Sequence, residues 1–208
     1  MSEDWRRYYE AAGDTPRETL LFALARFESE GVGDGRMLFA VDLGCGTGRD
    51  TIELLRHGWR VLAVDAEAEA IEQLLARLEG LEGASEHLAT LVSTFEQATW
   101  PRAELVNASF SLPFTSPEAF PAVWDRIRRS LVSGGRFCGQ LFGDRDDWAA
   151  GKGTSSHKGE ITFQTKNEVE ALLEPFTVEK LEEIDEDGKT AVGDPKHWHL
   201  FNVVAKKP

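Results

Sequence analysis

The chain has 208 residues, 41% of them hydrophobic and 28% charged, and its 12 Phe, 6 Trp and 2 Tyr exclude a disordered or collagen-like polymer. Lys and Arg total 23 against 36 Asp and Glu, and the resulting net charge of −13 repels phosphate backbones and anionic lipid, so neither nucleic acid nor membrane is expected as a partner. The length suits a single domain over residues 1–208, with a cap and helix over 1–35 and a core over 36–208.

Met1 to Glu10 lacks the apolar run of a signal peptide, and Leu20 to Ala25, the longest apolar stretch, is far below the ~18 residues of a membrane span. Thr15-Pro16-Arg17-Glu18 reads as a capping box with Pro at the first helical position, opening a helix whose Leu20, Leu24 and Phe27 share one face until Gly31. Met37 to Val41 reads as a short buried strand ending at Asp42 and a glycine cluster. Asp50 to Arg56 follows as a helix stopped by Gly58, then Arg60 to Val64 as a strand closed by Asp65. Ile71, Leu74, Leu75 and Leu78 keep helical spacing up to Gly80.

Leu88 to Ser93 and Leu105 to Phe110 read as the third and fourth strands, separated by a turn at Trp100-Pro101. Ser116-Pro117 opens a helix with Phe120, Val123, Trp124, Ile127 and Leu131 on one face, which Gly134-Gly135 is expected to end, and Arg136 to Phe142 is a fifth strand. Residues 143–160 lose periodicity and read as a long loop, either a cover over a substrate or a tolerated insertion. Thr165 and Glu168 form a capping box, Pro175 stops that helix, and Thr177 to Ile184 and His197 to Ala205 read as longer strands. The alternation predicts an α/β fold: a doubly wound, Rossmann-like sheet of seven strands, mostly parallel with an antiparallel C-terminal strand, and helices on both faces.

Chemistry concentrates in Val41-Asp42-Leu43-Gly44-Cys45-Gly46-Thr47-Gly48-Arg49-Asp50. Closely spaced glycines between a strand and a helix let a ligand lie on bare backbone beside free N–H groups. The dinucleotide pattern G-x-G-x-x-G fails, because Arg49 stands at its third glycine, and no G-K-[ST] follows for a nucleotide triphosphate loop. A carboxylate at Asp65, ending the second strand, suits a ribose diol.

With those residues in view, the chain resembles the class I S-adenosylmethionine-dependent methyltransferases. VDLGCGTGRD is similar to their first motif and VLAVDAEAEAI to the acidic end of their second strand. LVSTFEQATWP, ELVNASFSLPF and LVSGGRFCGQLFG are similar to the segments around their third, fourth and fifth strands, and the chain further resembles the small bacterial tellurite-resistance and thiopurine-methylating enzymes, which act on small molecules. The resemblance implies methyl transfer from S-adenosyl-L-methionine to a small-molecule acceptor, or else a non-catalytic protein that binds S-adenosylmethionine or S-adenosylhomocysteine. It also implies that Gly44, Cys45, Gly46 and Gly48 flank the methionine moiety, that Asp65 holds the ribose, and that Ala66, Thr94 and Phe95 lie beside the adenine. Two departures stand out. Thr94 replaces the common Asp of the adenine side, and Asn107-Ala108-Ser109-Phe110 lacks both prolines of the amino-methylating motif.

Asp42 either meets the methionine amino group or holds the loop. Trp5, Tyr8 and Tyr9 either cap the cofactor, where ring faces tolerate a sulfonium, or pack on the sheet edge. Arg17 and Arg49 are candidates for the cofactor carboxylate, Asn107, Phe110, Trp148 and His157 for the acceptor side, and Asn107 for the cofactor as well. His197 and His199 alternate on the last strand without a third ligand at convincing spacing, so no metal is expected. Two cysteines, Cys45 and Cys138, make no disulfide framework and point to a cytoplasmic location.

Overall fold

A computed structural model describes residues 3–33, 35–81, 83–152 and 160–208. Strands β1 (Phe39–Leu43), β2 (Arg60–Asp65), β3 (Leu88–Val92), β4 (Ala103–Ala108) and β5 (Leu131–Gly143) are mutually parallel where they pair. Beyond β5 lies a hairpin, β7 (Thr177–Lys189) and β8 (Pro195–Lys206), and β8 runs antiparallel to both neighbours. The path β3-β2-β1-β4-β5-β8-β7 is seven strands wide; a two-residue strand, β6 (Phe163–Gln164), attaches to the end of β5. Strand order reverses between β1 and β4, and the crevice beyond those strand ends is where ligands bind in open α/β sheets.

Helices α2 (Glu18–Ser29), α3 (Arg49–Arg56) and α4 (Ala68–Arg77) cover one face. Leu20, Ala23, Leu24 and Phe27 of α2 lie at i, i+3, i+4 and i+7 and pack with Ala40, Val61 and Leu105 of the sheet. Helices α5 (Phe120–Ser130) and α6 (Lys166–Leu173) cover the other face, where Trp124 meets Phe137 edge-on at 5.0 Å. Aromatic side chains so buried each contribute about 1.5–3 kcal/mol of transfer free energy. The Thr165–Glu168 capping box forms as expected.

Three local expectations change. β1 continues through Asp42 to Leu43, because it is paired on both sides, with Asp42 beside Ala63 and Asn107. Gly134-Gly135 does not stop α5: the helix ends at Ser130, and the two glycines form a register shift inside β5, where a Cβ on Gly135 would sit 2.9 Å from the Glu104 carbonyl oxygen. The Thr15 capping box does not form either. Arg17 is the N-cap of α2, and its N–H donates to Asp50 Oδ1 at 3.0 Å, tying the helix start to α3. The first residues fold as a short helix, α1 (Glu3–Ala11).

Candidate ligand site at the glycine loop

A cavity of about 360 Å³ opens at the C-terminal ends of β1, β2 and β4, roofed by Trp5, Tyr8 and Tyr9 of α1. Its floor is the glycine loop. Gly44 has φ +71°, and a Cβ there would lie 2.3 Å from Ser111 Cβ; Gly46 has φ +54°, and its Cβ would lie 2.7 Å from Tyr9 Cε1. Both positions therefore need a residue without a side chain, which leaves the backbone bare toward the cavity. Gly48 serves another purpose. It does not line the cavity; it caps α3 at φ +89° and lets Leu74 of α4 approach to 2.1 Å from where a Cβ would be.

Asp65 lies at the cavity edge with each oxygen accepting a backbone N–H, from Gly46 at 2.8 Å and from Glu67 at 2.9 Å. A carboxylate has about four lone-pair positions, so two remain for a ligand diol. Burial pushes the Asp65 carboxyl above its ordinary value, against the pull of those amides. Burial first, and then the Asp65 charge, push the Tyr9 phenol up, so it stays protonated at neutral pH. Cys45 lines the cavity as a buried thiol that burial also pushes up, away from nucleophilic character. Ala66, Thr94, Phe95 and Phe110 line it as well.

Asp42 and Asn107 lie beneath the cavity rather than on its lining. Asp42 accepts from Thr51 Oγ1 and, at 2.8 Å, from Asn107 Nδ2, which also donates to Asp50 Oδ2 at 3.2 Å. Burial, with the neighbouring Asp50 charge, pushes Asp42 above the usual carboxylate range. Asn107 thus holds two carboxylates together under the loop; its side chain is spent before any acceptor arrives. The Nε atoms of Arg17 and Arg49 are buried next to this network without a hydrogen bond, and Arg49 Nε is ion-paired with Asp50 Oδ1 at 3.5 Å. Arg49 lines the cavity, and the Arg17 guanidinium stacks on Phe110, 4.3 Å from the ring centroid.

Trp148 is not on the lining. It packs behind it, against Phe114, Phe142 and Trp198, with the Lys196 ammonium 4.2 Å from the Trp148 centroid and 3.7 Å from that of Trp198. Lys196 is paired with the buried Asp146, which also accepts from Trp148 N–H at 2.9 Å. His157 lies outside the described residues. His197 bridges Asp185 and Asp187 at 2.8 Å each, and Glu183, Asp185 and His199 converge closely enough to hold an ion. The Arg145 guanidinium sits there instead, 2.7 Å from Glu183 and 2.9 Å from Asp185.

Sequence reasoning missed Ser109 and Ser111, both on the lining, and the Thr51, Asp50 and Gln140 side chains that fix the loop and the turn after β4. Position was the available signal for the serines: they flank Phe110 just beyond the end of β4.

Residues 40–135 match a family described as a methyltransferase domain. Over that segment the chain is similar to methyltransferase domains. Its matched segment holds the glycine loop, Asp65 and the turn after β4, whereas α1 and the β7–β8 hairpin lie outside it. Over 101 residues the chain is 33% identical to a carboxy-S-adenosyl-L-methionine synthase of Stutzerimonas stutzeri, covering 45% of this chain and 41% of that protein, so it spans less than half the length of that relative. The fold is shared with TehB from Haemophilus influenzae (TM-score 0.66, 15% identity, 86% of this chain, 61% of that one). It is shared too with the 1,6-didemethyltoxoflavin-N1-methyltransferase of Burkholderia thailandensis, solved with bound 1,6-didemethyltoxoflavin and S-adenosylhomocysteine (TM-score 0.63, 21% identity, 97% and 84%).

Proposed function

We propose that this chain is a methyltransferase that transfers a methyl group from S-adenosyl-L-methionine to a small-molecule acceptor, in the cytoplasm. The observation that carries the reading is the bare glycine floor beside Asp65, roofed by Tyr9 and Trp5. The residues fit the cofactor: Gly44 and Gly46 set bare backbone on the cavity lining, and the Arg49 guanidinium on that lining supplies positive charge for a carboxylate. Asp65 would hold the ribose hydroxyls, Ala66, Thr94 and Phe95 the adenine, and Gly44, Cys45 and Gly46 the methionine chain. Gly48 and Asp42 act one layer down, shaping and holding the loop.

When bound, the cofactor supplies an electrophilic methyl on sulfonium. The protein's share is positioning: α1 covers the cavity and excludes water, the Trp5 and Tyr9 rings, stacked at 5.8 Å, offer electron-rich faces to a cation, and Phe110 and Phe114 wall the acceptor end. A net charge of −13 supports a small acceptor over a polyanion. No described helix is long and apolar enough to cross a membrane, and both cysteines are buried free thiols, which suits a reducing compartment. Incubation with S-adenosylmethionine and a panel of small nucleophiles, followed by mass spectrometry, should show S-adenosylhomocysteine and a product heavier by one methylene. Absence of both across the panel, with methylation of tRNA or DNA instead, would overturn the small-acceptor reading.

A further inference from the structure

At the acceptor end, hydrogen-bond directions are fixed by the scaffold. Asn107 Nδ2 donates to Asp42 and Asp50, so Asn107 Oδ1 must accept, and the Ser109 hydroxyl donates to it at 3.0 Å. Ser111 Oγ donates to the Leu43 carbonyl at 2.6 Å. A hydroxyl has one proton and two lone pairs. Both serines have spent the proton on the scaffold and present only lone pairs to the cavity they line. Phe110 between them is held at φ +51°, a conformation uncommon for a residue with a side chain, by its N–H donating to Gln140 Oε1 at 2.9 Å and by Arg17 against its ring. Two dedicated contacts thus hold the strained Phe110, and the two serines that flank it in the chain line the same cavity.

We propose, building on the methyl-transfer reading, that the acceptor is a neutral, weakly basic amine on an aromatic or heteroaromatic ring. An NH2 group offers two hydrogens to the two serine oxygens and keeps its lone pair free, whereas a thiolate or oxyanion would face lone pairs with lone pairs. A ring amine of low basicity is neutral at pH 7 by its own chemistry, so its lone pair is free for attack. Phe110, Phe114 and Trp5 supply apolar faces for the ring. In the transfer, the nitrogen lone pair forms the N–C bond as the C–S bond breaks and its electrons return to sulfur, leaving a neutral thioether. The methylated nitrogen then releases its surplus proton to water.

The test uses the full chain and ring compounds of matched size: aniline, benzoate and thiophenol. Calorimetry on the complex with S-adenosylhomocysteine should show aniline binding at least tenfold more tightly than the other two, and turnover should follow the same order. Ser109→Ala should lower kcat/KM for aniline tenfold or more while leaving affinity for S-adenosylhomocysteine unchanged. A preference for thiophenol or benzoate, no binding or turnover of aniline although S-adenosylhomocysteine binds, or a Ser109→Ala variant impaired only in S-adenosylhomocysteine binding would each overturn the proposal. Failure of S-adenosylhomocysteine to bind the unaltered chain would instead remove the methyl-transfer reading beneath it.

Discussion

Asp65 joins two roles that one substitution separates. Its oxygens brace the loop through Gly46 and Glu67, and its remaining lone pairs face the cavity. Asp65→Ala should weaken S-adenosylhomocysteine binding by about 1–3 kcal/mol through unpaired ribose hydroxyls, measured by calorimetry on protein shown by circular dichroism to be folded; unchanged affinity would reassign the ribose partner. Gly48→Ala tests packing rather than binding. Its Cβ would meet Leu74 at a left-handed φ, so overpacking should cost about 1–3 kcal/mol in chemical denaturation. Adding Leu74→Ala should recover less stability than it frees in space, because the backbone strain at Gly48 persists.

Asp42 gives a pH prediction with a definite sign. Burial, with the Asp50 charge, raises its folded-state pKa above the unfolded value near 3.8. Its contribution is therefore full below the unfolded value and lost as pH rises through the folded one. Asp42→Asn removes that loss, so its stability relative to the unaltered chain should improve between about pH 4.5 and about pH 7.5 in urea titrations. A gap independent of pH would mean Asp42 is ionised throughout.

At the level of elements, α1 and the segment after β5 differ in how they are held. α1 touches the core through rings: Tyr9 lies against Gly46, and Trp5 meets Phe114 edge-on at 5.5 Å. The segment after β5 is clamped. Beyond Leu200, β8 has no partner on its β5 side, and Asp147 and Asp146 take the free His197 and His199 N–H groups at 2.8 and 3.3 Å. Hydrogen exchange should therefore show residues 5–11 gaining protection with S-adenosylhomocysteine and residues 144–152 protected equally with and without it. Gain confined to 144–152 would reverse the assignment of the lid.

Much of this was legible in the sequence for a physical reason. Period and punctuation report local backbone, so the helices of Leu20–Phe27 and Ile71–Leu78, the strands around them and the Thr165 cap could be read directly. What resisted were contacts between residues far apart along the chain. Nothing in the pattern around Asn107 says that register will set it beside Asp42, and nothing in Gly134-Gly135 distinguishes a helix stop from a bulge. An aromatic residue in a loop, Trp148 reads from sequence as part of the acceptor wall; the buried Lys196 that draws it behind that wall is remote in sequence.

For the molecule as a whole, the sheet order, the reversal between β1 and β4 and the cavity at that reversal support one proposal: that the chain binds S-adenosylmethionine and its demethylated product through the glycine floor and Asp65. The far side of the sheet supports the scaffold, with the buried Arg136 guanidinium bonded to Glu30 at 2.6 Å and to Glu179 at 2.6 Å, locking α2 to β5 and β7. Isothermal calorimetry of the full chain against S-adenosylhomocysteine, and separately against NAD, tests the claim most directly. Binding of S-adenosylhomocysteine at one site per chain with no heat from NAD is predicted; saturable binding of NAD with none of S-adenosylhomocysteine would contradict it.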